Sequence, residues 1–289
     1  MTHVICVGDL MVDVVAQLPR PLATGSDTPA DIGIHGGGAA ANVAAWLVSA
    51  GASATFFGRI GDDPFGLKAV EELSLAGVEP LVTIDPTLPT GTCIVLVSEH
   101  GERTMIPCSG ANDVPSDPAL LPAHADWLYL SGYSLLSEGA RPFARAVLDL
   151  ARERGWRIAV DAASSAPLRA VGGRTFLDWV GEDVLLFANT DEAGVLTGLD
   201  EPAAAARALA TRCGRAIVKC GVEGAVWSDG DDVRAVPAIA AQVLDSTGAG
   251  DAFAAGFLAC RGDVEEALIS AVQLAARAVS RVGARPVVG

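Results

Sequence analysis

Apolar residues along the chain fall into short unbroken runs separated by longer amphipathic stretches. The runs Val4–Val7, Trp127–Leu130, Ile158–Val160, Val184–Phe187 and Ala216–Val218 are apolar at successive positions, as in strands covered on both faces. Between most of them the period changes to that of a helix. Residues 140–153 place Phe143, Val147 and Leu150 on one face and stop at Gly155. Asp63 ahead of Pro64 opens a helix ending near Gly77, Asp200 precedes one ending near Gly214, and Asp263 with Glu266 forms a capping box. This alternation predicts an α/β fold, a sandwich with a mainly parallel central sheet between helices.

Two segments break the rhythm: Val12–Gln17 followed by Asp31–His35, and Thr92–Ser98 followed by Arg103–Pro107. Both look like strand pairs with no helix between them; residues 93–97 are continuous β-formers, and His100-Gly101-Glu102 is a hairpin turn. They predict a small antiparallel sheet, drawn from about 12–35 and 92–107, projecting as a lid from a single domain that takes in residues 1–289. With one apolar face and no helix over it, such a sheet has to close on a ligand or on a second subunit, which predicts a homodimer. In open parallel sheets the ligand crevice lies at the carboxyl ends of the strands. Gly8-Asp9, Ser131-Gly132, Asp161, Asn189 and Lys219 all stand there. Any one of them reads as an ordinary polar loop residue; five on one edge point to a site.

Composition narrows the partners. With 20 Lys and Arg against 35 Asp and Glu, a formal charge of −15, the surface repels nucleic acid and anionic lipid. An anionic small molecule such as ATP stays compatible, because helix N-termini and a metal ion act locally. Cys6, Cys93, Cys108, Cys213, Cys220 and Cys260 are scattered without zinc or disulfide spacing and read as buried small residues in a reducing compartment. The first twenty residues contain Asp9 and Asp13 and no basic lead-in, and the longest apolar run, near 252–260, is too short for a bilayer. A cytoplasmic location without membrane contact is expected.

The densest chemical signal is Asp245-Ser246-Thr247-Gly248-Ala249-Gly250-Asp251-Ala252-Phe253, running into a helix of small residues. A Gly-Ala-Gly turn at a helix start lets backbone N–H groups close on an anion, and the helix dipole adds to the attraction. A carboxylate in the same hole repels a bound phosphate. Asp251 therefore has two readings, a base that takes the proton of an attacking hydroxyl or a plain cap on the first turn.

This segment resembles the C-terminal signature of the ribokinase-like (PfkB) carbohydrate kinase family, with Ser246 the one conservative departure. Gly36-Gly37-Gly38-Ala39-Ala40-Ala41-Asn42-Val43-Ala44 resembles the family's N-terminal signature, and the likeness extends over essentially the whole chain. The resemblance implies a ribokinase-like fold and an ATP-dependent kinase acting on a hydroxyl of a sugar, sugar derivative or nucleoside, with Asp251 as base and Gly248, Ala249 and Gly250 as the anion hole. It implies that Asp13, with Asp9 assisting, holds substrate hydroxyls beside Gly37, Gly38 and Asn42. Asn189 and Glu192 match the element that organises Mg²⁺ through waters, and they equally suit an ordinary acidic helix start. Lys219, Gly221 and Gly224 resemble the nucleotide loop; as a bare pattern Lys219 is also a plain lysine at a strand end. Arg103 is divided between a substrate contact and an exposed strand residue. Asp245 and Thr247, with Gly283-Ala284, resemble the monovalent-cation site of several members, which suggests K⁺.

Some positions depart from that pattern. Met11 stands where ribokinases carry a polar substrate ligand, Asp161-Ala162-Ala163-Ser164 lacks an Asn, and Val272–Ala278 offers an apolar wall in place of the Asn near adenine. Two rival functions remain. A non-catalytic ligand-binding regulator on the same fold is expected to have lost Asp251 or the Gly-Ala-Gly turn, and both are intact. An NAD-dependent oxidoreductase needs a glycine fingerprint directly after the first buried strand, and Gly8-Asp9-Leu10 does not supply it.

Overall fold

The computed structural model describes residues 1–100, 102–114 and 116–286. The chain opens with β1 (His3–Val7), β2 (Met11–Gln17), β3 (Asp31–Gly37), α1 (Ala39–Ser49), β4 (Ser53–Gly61), α2 (Pro64–Leu75) and β5 (Glu79–Asp85). It continues through β6 (Gly91–Val97), β7 (Arg103–Cys108), β8 (Trp127–Ser131), α3 (Tyr133–Leu136), α4 (Arg141–Glu153) and β9 (Arg157–Asp161). Next come α5 (Ser165–Val171), α6 (Gly173–Val180), β10 (Val184–Asn189), α7 (Thr190–Thr197), α8 (Pro202–Cys213) and β11 (Gly214–Lys219). The last elements are β12 (Ala225–Ser228), β13 (Val233–Val236), α9 (Ala249–Ala259) and α10 (Val264–Val279).

Nine strands form the main sheet in the order β13-β12-β11-β10-β9-β8-β1-β4-β5, parallel from β11 to β5 and antiparallel at the β12 and β13 edge. Its strands are buried on both faces because successive side chains serve two cores. In β1, Val4 and Cys6 pack with α1, α9 and α10, while Ile5 and Val7 pack with residues of α4 to α8 on the other side. Helix boundaries follow local chemistry. Asp63 accepts the Gly66 N–H at the start of α2, and Gly77 leaves that helix at φ 83°.

Three local expectations are corrected. Glu201, not Asp200, caps α8, its two carboxylate oxygens taking the Ala203 and Ala204 N–H groups. Asp263 does accept from Glu266 N, but the box that closes in both directions is Asn189 with Glu192 at α7. Cys108 is exposed and Cys220 and Cys260 are half-buried, so the cysteines are not uniformly core residues; all six are free thiols.

The small sheet has the order β3-β2-β6-β7. Its outer pairs are antiparallel as expected, but the central β2–β6 pair is parallel, because two hairpin-like pairs lie side by side in the same direction. The tip at Gly101 lies outside the described residues. Asp13, Val15, His35, Cys93 and Val95 belong to the face toward the main domain, and Cys93 and Val95 are buried. On the opposite face, Ile34, Val14, Ile94 and Ile106 form one cross-strand row, and its three isoleucines are about half exposed.

Candidate active site

The carboxyl ends of the parallel strands meet the N-termini of α1, α7 and α9. Ser131 is level with Asp161, and Asn189 with Lys219, so the polar strand ends picked out in the sequence share one edge. Gly248, at φ 75°, begins the turn into α9; a Cβ there would collide with the Ala284 carbonyl, so the turn closes only with glycine. A Cβ on Gly250 would lie 3.2 Å from Lys219 Nζ, which puts that ammonium beside the turn.

Asp251 sits in the first turn of α9, yet its side chain caps nothing in that helix. It accepts a hydrogen bond of 2.9 Å from Asn42 Nδ2, at the start of α1. Burial raises its pKa to about 7, with Asp161 and Asp9 adding to the rise and Asn42 and Lys219 opposing it. Asp251 therefore makes no capping bond in α9, and its carboxyl holds a proton more tightly than a free aspartate.

Around it, Lys219 Nζ donates to Asp161 Oδ2 at 2.7 Å. Burial works against the lysine's charge, but Asp161 and Glu192 more than offset it and its pKa is raised. Glu192, 3% exposed, accepts the Asn189 N–H with one oxygen and Asn189 Nδ2 with the other, both at 2.8 Å. Burial, then the nearby Asp161, raise its pKa. Asn189 and Glu192 are thus committed to each other in the capping box, and the two Asp161 oxygens accept from Lys219 Nζ and the Ala163 N–H; only the remaining lone pairs of these two buried carboxylates suit the waters of a hydrated Mg²⁺ ion. Ala163, just past Asp161, adopts the left-handed conformation at φ 73° while its N–H bonds Asp161 Oδ1 at 2.9 Å.

The two glycines of the expected nucleotide loop differ. Gly221 has open space where a side chain would stand, whereas a Cβ on Gly224 would strike the backbone at Val236, so Gly224 serves the chain's own packing. In α10, Val272, Leu274 and Ala278 are buried in the core; the small residues left near the surface are Ala275 and Ala276. The expected apolar wall is therefore mostly core.

A cavity of about 370 Å³ lies under the small sheet, lined among others by Asp13, Val15, His35, Arg103, Met105 and Asp245. Asp13 is buried, and its carboxylate lies directly over Gly37, where any side chain would displace it. Burial raises the Asp13 pKa, against the pull of Arg285. Gly38, at φ 92°, packs against the backbone of Asp9 and Leu10. Asp9 itself accepts the Ala39 N–H with Oδ2, so half of its carboxylate anchors α1.

Arg103 reaches from β7 across the cavity to Asp245, which also accepts the Thr247 and Gly283 N–H groups. Burial opposes ionisation of Asp245, but these N–H groups and Arg103 prevail and hold its pKa low. The guanidinium and the Thr247 N–H thus share Asp245 Oδ1 and the Gly283 N–H takes Oδ2, so a monovalent cation on this carboxylate would compete with Arg103. Thr247 Oγ1 is buried without a partner.

One residue escaped the sequence reading. Arg285 donates from Nε to Asn42 Oδ1 at 3.1 Å and from Nη2 to the Gly37 carbonyl at 2.6 Å. Its only signal was a lone basic residue among Val282, Gly283, Ala284 and Pro286.

Comparison with known families gives a match over residues 1–288 to the pfkB family carbohydrate kinases. The chain belongs to that family. Among curated relatives of this pfkB-family chain, the ATP-dependent ribose-1-phosphate kinase of Halopiger xanaduensis is 32% identical over 99% of the chain and 94% of its own length. The fructokinase of Vibrio alginolyticus is 29% identical over 90% and 84%. Among solved structures, a probable sugar kinase from Rhizobium etli superposes with a TM-score of 0.88 at 26% identity, covering 99% of the chain and 96% of that protein. The adenosine kinase from Sinorhizobium meliloti gives 0.86 at 27%, with the same coverage. The pfkB-family fold, a mostly parallel sheet with a small four-stranded one, is thus shared along the whole length. Among the described residues no helix is long and apolar enough to cross a membrane.

Proposed function

We propose that the chain is an ATP-dependent kinase that transfers the γ-phosphoryl group to a hydroxyl of a sugar, sugar derivative or nucleoside. The observation that carries this is Asp251: a carboxyl in an anion-binding helix turn, unused as a cap, oriented by Asn42 and with its pKa raised to about 7. A base with that affinity takes the proton of an attacking hydroxyl near neutral pH and releases it to solvent afterwards. The Ala249 N–H is taken by the Ser246 carbonyl, so in this reading the Gly248 and Gly250 N–H groups, with the Lys219 ammonium beside Gly250, stabilise the charge that develops on the transferred group. Asp161 and Glu192 would hold a hydrated Mg²⁺ ion through its waters, and when bound it would supply charge neutralisation on the phosphates. Asp13 accepts substrate hydroxyls, and the small sheet excludes water from the cavity. The named activities of the relatives, on ribose 1-phosphate, fructose and adenosine, support the substrate class.

The half-exposed row of Ile34, Ile94 and Ile106 supports a homodimer joined through the outer face of the small sheet. The regulator reading has against it an intact Asp251 and glycine turn. The oxidoreductase reading has against it the position of Gly36–Gly38, which end the small-sheet strand β3 and do not follow β1.

The test is ADP release from ATP with Mg²⁺ across a panel of pentoses, hexoses, sugar phosphates and nucleosides, for wild type and Asp251→Asn. A folded Asp251→Asn that binds both ligands is expected to lose about 10²–10⁴-fold in kcat on the accepted substrate. Near wild-type turnover in that variant, or no ADP release with any member of the panel, rejects the proposal.

A further inference from the structure

An asparagine amide has an acceptor at one end and donors at the other, with almost the same shape either way round. Nothing in its own sterics stops Asn42 from turning its carbonyl toward Asp251, where oxygen would face oxygen. What the structure sets against that flip is Arg285. Its guanidinium carries donors only, and its Nε takes the Asn42 carbonyl while Nη2 is anchored on the Gly37 carbonyl. The remaining Asn42 N–H is thereby delivered to Asp251 Oδ2. We infer that Arg285 is a positioning residue for Asp251, acting through Asn42: it fixes which end of the amide the carboxylate meets.

The surroundings support this role. The three residues come from a helix start, a helix first turn and the C-terminal tail, so they meet only in the folded chain. Burial lowers the Arg285 pKa to about 10, against Glu72, Asp13, Asp251 and Asp9, so the group stays charged at neutral pH. A buried cation is held there only if the fold has a use for it. Glu72 approaches from α2 and Asp13 from β2, but Arg285 hydrogen-bonds Asn42 through Nε and Gly37 through Nη2, while its Nη1 is buried without a partner. The other groups facing Asp251 are Asp9 from the end of β1, Asp161 from β9, Lys219 from β11, Tyr129 from β8 and Tyr133 from α3. Among the described side chains, Asn42 is the one that hydrogen-bonds the Asp251 carboxylate.

The inference rests on Asp251 being the base, and the experiment separates the two. In ¹³C-aspartate-labelled protein without ligand, the Asp251 carboxyl is assigned by its loss in Asp251→Asn and titrated in Arg285→Ala, Asn42→Ala and the double variant. Each single change is expected to raise its midpoint by about half a pH unit or more. Arg285→Ala should add little once Asn42 is gone. In parallel, ADP release with D-ribose, D-fructose or adenosine should fall about tenfold or more in kcat in each single variant, with less than a twofold change in KM for ATP, and the double variant should match Asn42→Ala. Arg285→Lys, which keeps the charge and one donor, should recover part of both signals; if Arg285→Ala does not fold, Arg285→Lys and Arg285→Gln replace it in the same cycle. An unmoved midpoint, or equal effects of the arginine change with and without Asn42, overturns the inference. A fully active Asp251→Asn defeats the base reading instead.

Discussion

Arg103, on lid strand β7, pairs with Asp245, the residue that opens the loop into the Gly248 turn. The small sheet and the loop into α9 are therefore tied by one ion pair whose acid is nearly buried and whose base is about one-quarter exposed, 6% and 28% respectively. Charge-assisted bonds of this kind contribute on the order of 1–2 kcal/mol. Arg103→Ala is expected to raise KM for the phosphoryl acceptor by about 5–30-fold while KM for ATP stays within about twofold. Steady-state kinetics on an accepted substrate decide it, and an unchanged acceptor KM would show that the pair does not hold the lid.

The same pair bears on salt. Because the Asp245 carboxylate is already taken by Arg103 and two backbone N–H groups, exchanging K⁺ for choline at constant ionic strength is expected to change kcat less than about twofold. A several-fold activation specific to K⁺ would mean that Arg103 leaves Asp245 in the working enzyme.

Asp13 lines the cavity and lies against Gly37, whereas Lys219 and Gly221 are not among the residues that line it. Asp13→Ala is expected to weaken acceptor binding by about ten- to hundredfold, the worth of one charged hydrogen-bond partner, with ATP affinity nearly unchanged. Calorimetric titration of each ligand checks it; the opposite pattern would reverse the orientation of the site.

The raised pKa of Asp251 has a consequence for stability with a definite sign. The folded state holds the proton more tightly than the unfolded chain, whose aspartate titrates near 3.8, so the protonated form favours folding below that value. That contribution is lost as pH rises toward about 7, and above it the ionised carboxylate is a net burden on the order of 2–4 kcal/mol. Asp251→Asn is expected to melt higher than wild type at pH 8, and the gap should shrink near pH 4. A variant that melts lower at pH 8 would mean that the carboxylate is stabilised where it stands. In wild type, kcat is expected to fall on the acid side with a midpoint near the same value.

For the outer face of the lid, Ile34→Glu with Ile94→Glu places two charges in the apolar row. Light scattering at micromolar concentration is expected to show a dimer for wild type and a monomer for the double variant. A wild-type monomer would leave the row to some other partner.

Sequence by itself determined the alternation of the fold, because a buried parallel strand has to be apolar at every position and the helices between have to be apolar on one face. It also determined the glycine-rich turn into α9 and the presence of a small second sheet, since 12–35 and 92–107 each read as two strands with no helix between them. Tertiary structure alone decided what each chemical group faces. Asn42 meets Asp251 across 209 positions of chain, Lys219 turns to Asp161 rather than to open solvent, Arg103 finds Asp245, and Arg285 enters the site from the tail. Local pattern reports on backbone geometry and on burial, which depend on near neighbours. Charge pairing and proton affinity depend on whichever groups the fold brings within a few ångströms, and those come from strands and loops far apart in the chain.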